Sequence, residues 1–227
     1  MIHLDRLSKS FWSRGGRNII VDDLTVTFPT GASVALLGRN GSGKSTLLKL
    51  IAGTIRPSSG RVLSTGSISY PVGFAGSFHP DMTGLQNARF VARLYGVDTD
   101  ELVDFVEDFA ELGSHFRMPL RTYSSGMRSR LSFGVSMAIP FDTYLVDEVT
   151  SVGDGAFKNK SVRVFDVRRE TAGAIVVSHS PSMIKRICDM AVVLEGGKVV
   201  FYTDLDAALE HHEENLALPP PNSRPRS

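Results

Sequence analysis

Nine consecutive residues, Gly38-Arg39-Asn40-Gly41-Ser42-Gly43-Lys44-Ser45-Thr46, constrain this chain more than any other stretch. They follow the apolar run Ser33 to Leu37, which reads as a buried strand. They lead into Thr46 to Ala52, which reads as a helix stopped by Gly53. A strand, a glycine loop and a helix in that order form an anion cradle. The glycines let the backbone take positive φ and bring its N–H groups close to an anion, and the helix N-terminus adds oriented partial positive charge. The pattern G-x-x-x-x-G-K-[ST] is matched at every fixed position, which assigns Lys44 to the β- and γ-phosphates of a nucleotide and the Ser45 hydroxyl to Mg²⁺.

The rest of the composition narrows what such a chain can be. At 227 residues with 42% hydrophobic content, it can bury a core unaided. With 25 basic and 24 acidic residues the formal charge is +1, so there is no electrostatic footprint for nucleic acid, and none is expected as a partner. The single cysteine, Cys188, and an N-terminus that does not read as a signal peptide point to a reducing compartment. No apolar run approaches the roughly 20 residues needed to cross a bilayer, so a membrane role requires a partner. The pair His211-His212, with no third ligand type nearby, is not read as a metal site.

The opening segment, residues 1–28, alternates short apolar stretches and reads as antiparallel strands. Phe11 and Trp12 precede the Gly15-Gly16 turn, where an aromatic could stack on a base or serve as a core or edge residue. Arg61 to Leu63 and Ser67 to Tyr70 read as short strands, followed by a long loop from Pro71 to Gly84 that carries Phe74 and Phe78. Helices are expected over 85–95, 99–112 and 128–139, which makes the middle third mainly helical. Tyr144 to Val146 and Ala174 to Val177 read as buried parallel strands. Ala191 to Leu194 and Lys198 to Tyr202 read as a hairpin around Gly196-Gly197, followed by a short helix near 205–210 and a disordered tail.

Each of the two buried strands ends in polar residues, and in open α/β sheets ligands gather at the carboxyl ends of strands. Asp147 is therefore expected to hold Mg²⁺, directly or through water, and Glu148 to accept a proton from attacking water. His179 is expected to contact the γ-phosphate. Tyr123-Ser124-Ser125-Gly126-Met127, before the expected helix at Arg128, forms a second anion cradle. One phosphate loop needs no second cradle in its own chain, so this one is assigned to another copy's nucleotide.

The order of these motifs resembles the ATP-binding cassette (ABC) ATPases over about residues 1–210: phosphate loop, Ser-Ser-Gly-Met signature, Asp147-Glu148, the loop Thr150 to Asp154, then His179. Within that family the sequence looks like the ATPase subunits of bacterial capsular polysaccharide exporters. This closer likeness rests on Val72 to Phe78, Phe90 to Tyr95, Met118 to Leu131 and Val146 to Asp154. The resemblance implies an α/β fold of the P-loop NTPase class: a RecA-like parallel sheet, an antiparallel β subdomain and an inserted helical subdomain at about 85–140, within a nucleotide-binding domain of residues 1–212 and a tail of 213–227. It implies ATP and Mg²⁺ as cofactors. It also implies a homodimer with two ATPs sandwiched between copies, and integral membrane permease subunits of a polysaccharide export machinery, docked on the Pro71 to Gly84 loop at the cytoplasmic face of the inner membrane.

By the same likeness Phe11 is the adenine-stacking aromatic, in place of the usual tyrosine, and Asp154 joins Gly38 to Thr46 and Ser124 to Gly126 in the nucleotide set. The family's usual glutamine after the strand near Tyr70 is absent. His79 is taken as its stand-in beside the metal, with Gly73 as the other alignment. Competing readings are an exporter of O-antigen or teichoic acid, a soluble cassette ATPase, and a catalytically silent nucleotide-binding scaffold.

Overall fold

A computed structural model of the chain describes residues 1–13, 16–72, 78–147 and 155–218. The chain divides into two compact units, one built from Met1–Ile68, Asp142–Glu148 and Ala172–Ser227, the other from Ser69–Phe141 and Val149–Thr171.

The first unit contains an antiparallel sheet in which β1 (Ile2–Ser13) lies between β2 (Gly16–Phe28) and β4 (Ser59–Ser64). On β1 and β2 the residues Ile2, Leu4, Leu7, Val21, Leu24 and Phe28 are buried, the alternation of a sheet with one apolar face. The second sheet runs β5-β6-β7-β3-β8-β9 and comprises β5 (Ile68–Pro71), β6 (Thr143–Asp147), β7 (Gly173–Val177), β3 (Ser33–Leu37), β8 (Met190–Glu195) and β9 (Lys198–Tyr202). β3 pairs in parallel with β7 and β8, β6 pairs in parallel with β7, and β8 turns back into β9 as an antiparallel hairpin. Every residue of β3 and β7 is buried, as expected of parallel strands covered on both faces. The helix α1 (Lys44–Ile51) places Leu47, Leu48, Leu50 and Ile51 in one apolar cluster with Leu4 and Phe28 of the first sheet and Leu36, Leu145, Ile175 and Val192 of the second. Full burial of each such side chain contributes about 1.5–3 kcal/mol, so α1 joins the phosphate loop to the core of the unit.

The second unit is helical: α2 (Gly84–Tyr95), α3 (Thr99–Ala110), α4 (Ser125–Ala138) and α5 (Gly155–Arg169), with two 3-10 turns, Gly113–Arg117 and Leu120–Thr122. Thr83 and Gln86 form a reciprocal capping box at the start of α2, and Asp98 caps α3 through the amides of Asp100 and Glu101. Phe109 of α3 centres the core, stacked on Phe133 of α4 and edge-on to Phe157 of α5. Asn87, 1% exposed, ties the entry of α2 together. Its Oδ1 accepts from the His79 amide at 2.8 Å, and its Nδ2 donates to the carbonyls of Thr83, Met82 and His79 at 3.0, 3.2 and 3.2 Å.

Several sequence expectations shift. The two short strands after α1 part company, β4 joining the antiparallel sheet and β5 the parallel one. α4 begins at Ser125 rather than Arg128. α5 and the short α6 (Pro181–Ile187) were not anticipated; on α5 only Phe157, Ser161 and Phe165 are buried, a stripe too narrow among its charges to register as amphipathic. The last helix, α7 (Leu205–Ala217), continues well past residue 210, so residues 213–217 are helical rather than tail.

Candidate functional site

The loop between β3 and α1 is shaped by two glycines. Gly43, at φ 105°, is the N-cap of α1, and a Cβ there would lie 2.3 Å from Ile20 Cγ2 of β2. Gly38, at φ 150°, would place a Cβ 2.5 Å from the carbonyl oxygen of Leu194 and 2.7 Å from Ser42 Oγ. Any side chain at either position would have to displace a neighbour. Lys44 opens α1 and folds back over the loop. It is 9% exposed, and its Nζ donates to the carbonyl oxygens of Gly38 at 2.6 Å and Arg39 at 3.0 Å. An ammonium held over a glycine loop at a helix N-terminus is an arrangement suited to a phosphate.

The order of the second sheet sets what stands beside that loop. β7 lies next to β3, and β6 next to β7, with Asp147 paired to Val177 across the last rung. The carboxyl ends of three adjacent parallel strands thus deliver the phosphate loop, Asp147 and, two residues beyond Val177, the exposed His179. This is the crevice at which α/β sheets collect ligands.

The buried oxygen of Ser42, Oγ, has no hydrogen-bond partner among the described residues. An orphaned hydroxyl in a glycine cradle beside Lys44 fits a phosphate group. For Mg²⁺ the donors on offer are the exposed Ser45 hydroxyl and the Asp147 carboxylate. Among the described residues no group of three or more His, Cys, Asp or Glu side chains could hold a metal ion by itself. Two hard oxygens fit a Mg²⁺ that shares the remaining positions with phosphate oxygens and water.

A floor of the same unit completes the site. Asn18, Ile19 and Ile20 of β2 line a cavity of about 230 Å³ together with the phosphate loop. Phe11 of β1, 44% exposed, pairs with Asn18 across the strands, and the Lys9 ammonium lies 4.8 Å from its ring centroid. Neither Phe11 nor Trp12 is a core residue, since Trp12 is 81% exposed.

In the second unit Ser124 is the N-cap of α4, and its hydroxyl accepts from the Met127 amide at 3.2 Å. Ser125 and Gly126 therefore lie in the first helical turn, where backbone N–H groups lack an intrahelical acceptor. Among the described residues a Cβ at Gly126 would meet only Ser124 Oγ, at 3.9 Å. Buried Tyr123 fixes this start by donating from its hydroxyl to the carbonyl of His115 at 2.7 Å, while Arg128 donates to the carbonyl of Tyr123. His79 lies in the turn that Asn87 organises, and its Nδ1 accepts from the amide of Asp81 at 3.3 Å. Glu148, Asp154, Gly73 and Phe74 lie outside the described residues.

Sequence reasoning missed the wall contributed by α7. His212 and Asn215 line the cavity with Gly38 to Ser42. Arg39 donates to the main-chain oxygens of Asn215, Leu216 and Leu218 at the end of that helix. Burial lowers the His212 pKa first, and the nearby charges of Lys44 and His179 lower it further. No sequence pattern announces a contact between residues 176 positions apart.

With this geometry in hand, comparison with known proteins is direct. A family profile described as "ABC transporter" matches residues 21–151. The chain is 48% identical to the polysialic acid transport ATP-binding protein KpsT of Escherichia coli, over 95% of this chain and 100% of that one. It is 42% identical to the capsule polysaccharide export ATP-binding protein CtrD of Neisseria meningitidis serogroup B, over 93% of this chain and 98% of that one. Among solved structures, a dimeric post-hydrolysis state of the ATP-binding cassette MJ0796 bound to ADP and Pi shares the fold, with a TM-score of 0.73 at 20% identity over 88% of this chain and 96% of that one. A phosphate loop, a carboxylate and a histidine at the ends of adjacent parallel strands, and a serine-glycine helix start in a separate helical unit accordingly have one family explanation: this chain belongs to the ABC transporter family, as one of its ATP-binding subunits.

Proposed function

We propose that this chain is the ATP-hydrolysing subunit of an exporter that moves capsular polysaccharide across the bacterial inner membrane. The observation that carries the hydrolytic part is Lys44, enclosed by the phosphate loop, with Asp147 and His179 at the ends of the adjoining strands. The substrate class is supported by the transport and export roles that the names of KpsT and CtrD carry, at high identity over nearly the whole chain. Among the described residues no helix is long and apolar enough to cross a membrane. In this reading the chain sits at the cytoplasmic face against integral permease subunits, with the segment around Pro71 to Gly84 as its docking loop.

Two copies work together. The loop amides and Lys44 of one copy hold the β- and γ-phosphates, and Phe11 stacks on the base. The amides of Ser125 and Gly126 from the other copy close over the γ-phosphate. Ser45 and Asp147 would hold Mg²⁺, with His79 as a further residue beside it, and the bound ion screens the phosphate charge. Glu148 takes a proton from the attacking water as its oxygen bonds to the γ-phosphorus and the bond to ADP breaks. His179 donates to the transferred phosphoryl, and Asp154 completes the set. Because closure is favoured only with ATP in place, hydrolysis reopens the pair, and the difference in ATP affinity between closed and open states moves the permease.

The Glu148→Gln chain tests this assignment. It keeps the shape of the site and removes the base, so phosphate release should fall by roughly 10²–10⁴-fold while ATP still binds, and an ATP-dependent dimer should accumulate in sedimentation. Hydrolysis at the parent rate would show that Glu148 is not the base.

A further inference from the structure

The end of α7 is built into the phosphate loop. Arg39, the second residue of that loop, lays its guanidinium across the main-chain oxygens of Asn215, Leu216 and Leu218, the last two at 3.3 and 2.5 Å. A cation at a helix C-terminus satisfies carbonyls that have no intrahelical partner and complements the helix dipole. The base of α7 is fixed independently. Asp204 caps it through the amides of Asp206 and Ala207, and His211 bridges Tyr202 Oη at 2.8 Å and Asn215 Nδ2 at 3.1 Å. The neighbouring His212 lines, together with Gly38 to Ser42, the cavity of about 230 Å³.

Among the described residues neither His212 Nδ1 nor Ser42 Oγ, both buried, has a hydrogen-bond partner. A buried polar atom left unpaired is costly, and His212 and Ser42, each carrying one, line the same cavity, which suits a ligand with several hydrogen-bonding oxygens. The ligand must also suit the charges of Lys44 and His179, which act on His212. An anion with oxygens on several sides meets these conditions. The end of α7 is tied to the loop through the Arg39 guanidinium, which keeps His212 beside that loop.

We propose that His212 is a nucleotide-contacting residue, its imidazole held beside the phosphate loop by the Arg39 clamp on α7 so that it donates a hydrogen bond to the terminal phosphates of a nucleoside triphosphate. The proposal rests on the nucleotide reading of the loop and adds to it a wall from the far end of the chain. Arg39 is then a positioning residue for His212.

Equilibrium binding of a fluorescent ATP analogue, with Mg²⁺, to the full-length parent, His212→Ala, His212→Gln and Lys44→Ala chains separates the two readings. The expected result is a Kd raised roughly tenfold in His212→Ala, as for a lost hydrogen bond to a charged group, with partial recovery in His212→Gln, whose amide can still donate. KM should rise with Kd while kcat changes less than twofold. An unchanged or tighter Kd in His212→Ala, alongside a large loss in Lys44→Ala, would overturn the role of His212 and leave the loop assignment standing. No binding by the parent, and hence no difference in Lys44→Ala, would overturn the loop assignment itself. Should His212→Ala fold poorly, the imidazole resonances of the parent, assigned by difference from His212→Gln, should move on saturation with ADP or a non-hydrolysable triphosphate. Their failure to move in a nucleotide-saturated chain would equally overturn the proposal.

Discussion

The ammonium of Lys44 donates at 2.6 Å to the carbonyl oxygen of Gly38, six residues upstream, so the phosphate loop is closed on its own lysine. The loop is therefore preorganised, with the charge already stationed where a phosphate would sit. Lys44→Ala should weaken ATP binding by roughly 10–100-fold, the size of a lost hydrogen bond to a charged group. The change should also loosen the loop, read as faster amide exchange over 38–44. Unchanged ATP affinity in a folded Lys44→Ala chain would contradict the site.

Asn87 gives a prediction about the second unit alone. One buried carboxamide satisfies the amide of His79 and the carbonyls of His79, Met82 and Thr83. Asn87→Ala orphans several of these groups, some of which water can reach, so the loss of stability should be about 2–3 kcal/mol. Urea unfolding measures it. A loss below about 0.5 kcal/mol, the usual range for surface substitutions, would mean that the turn carrying His79 is held by something else.

His212 makes a prediction about pH. Burial, then the charges of Lys44 and His179, hold its pKa below the ordinary histidine value of 6.5; His211 adds to the lowering and Glu213 opposes it. Above pH 6.5 the imidazole is neutral both folded and unfolded and contributes no pH dependence. As pH falls below that value the unfolded chain takes up a proton that the folded chain resists, so stability is lost until pH has passed through the folded value. The fall in Tm between pH 7 and pH 5 should therefore be smaller in His212→Asn than in the parent. An equal fall in both would show that His212 titrates like an exposed histidine.

How much of this was legible in the sequence follows from where each signal resides. The phosphate loop could be read residue by residue because its backbone geometry demands glycine at fixed places, and Gly38 and Gly43 do occupy positive φ against close neighbours. The strand-end positions of Asp147 and His179 were legible because each follows a buried apolar run, and adjacent parallel strands bring such ends together. The start of α4 was misplaced because Ser125 and Gly126 are weak helix formers, yet the Ser124 cap and the Tyr123 anchor fix the first turn. α5 was missed because its buried stripe of Phe157, Ser161 and Phe165 includes a serine, while Val162 and Val164 are only half-buried and Val167 is exposed, so periodicity was faint. The α7 wall was illegible for another reason. Its contacts with Arg39 join backbone carbonyls to a distant side chain, and backbone atoms leave no mark on residue choice.

The central claim is that two copies share each ATP, with Lys44 serving from one side and Ser125 from the other. Mixing a Lys44→Ala chain with a Ser125→Arg chain tests it most directly, because a heterodimer then has one composite site broken twice and the other intact. The account predicts that tight binding of a fluorescent ATP analogue, absent from either mutant alone, reappears on mixing at about one site per heterodimer. Heterodimers shown to form by sedimentation, yet binding no more nucleotide than the separate mutants, would contradict it.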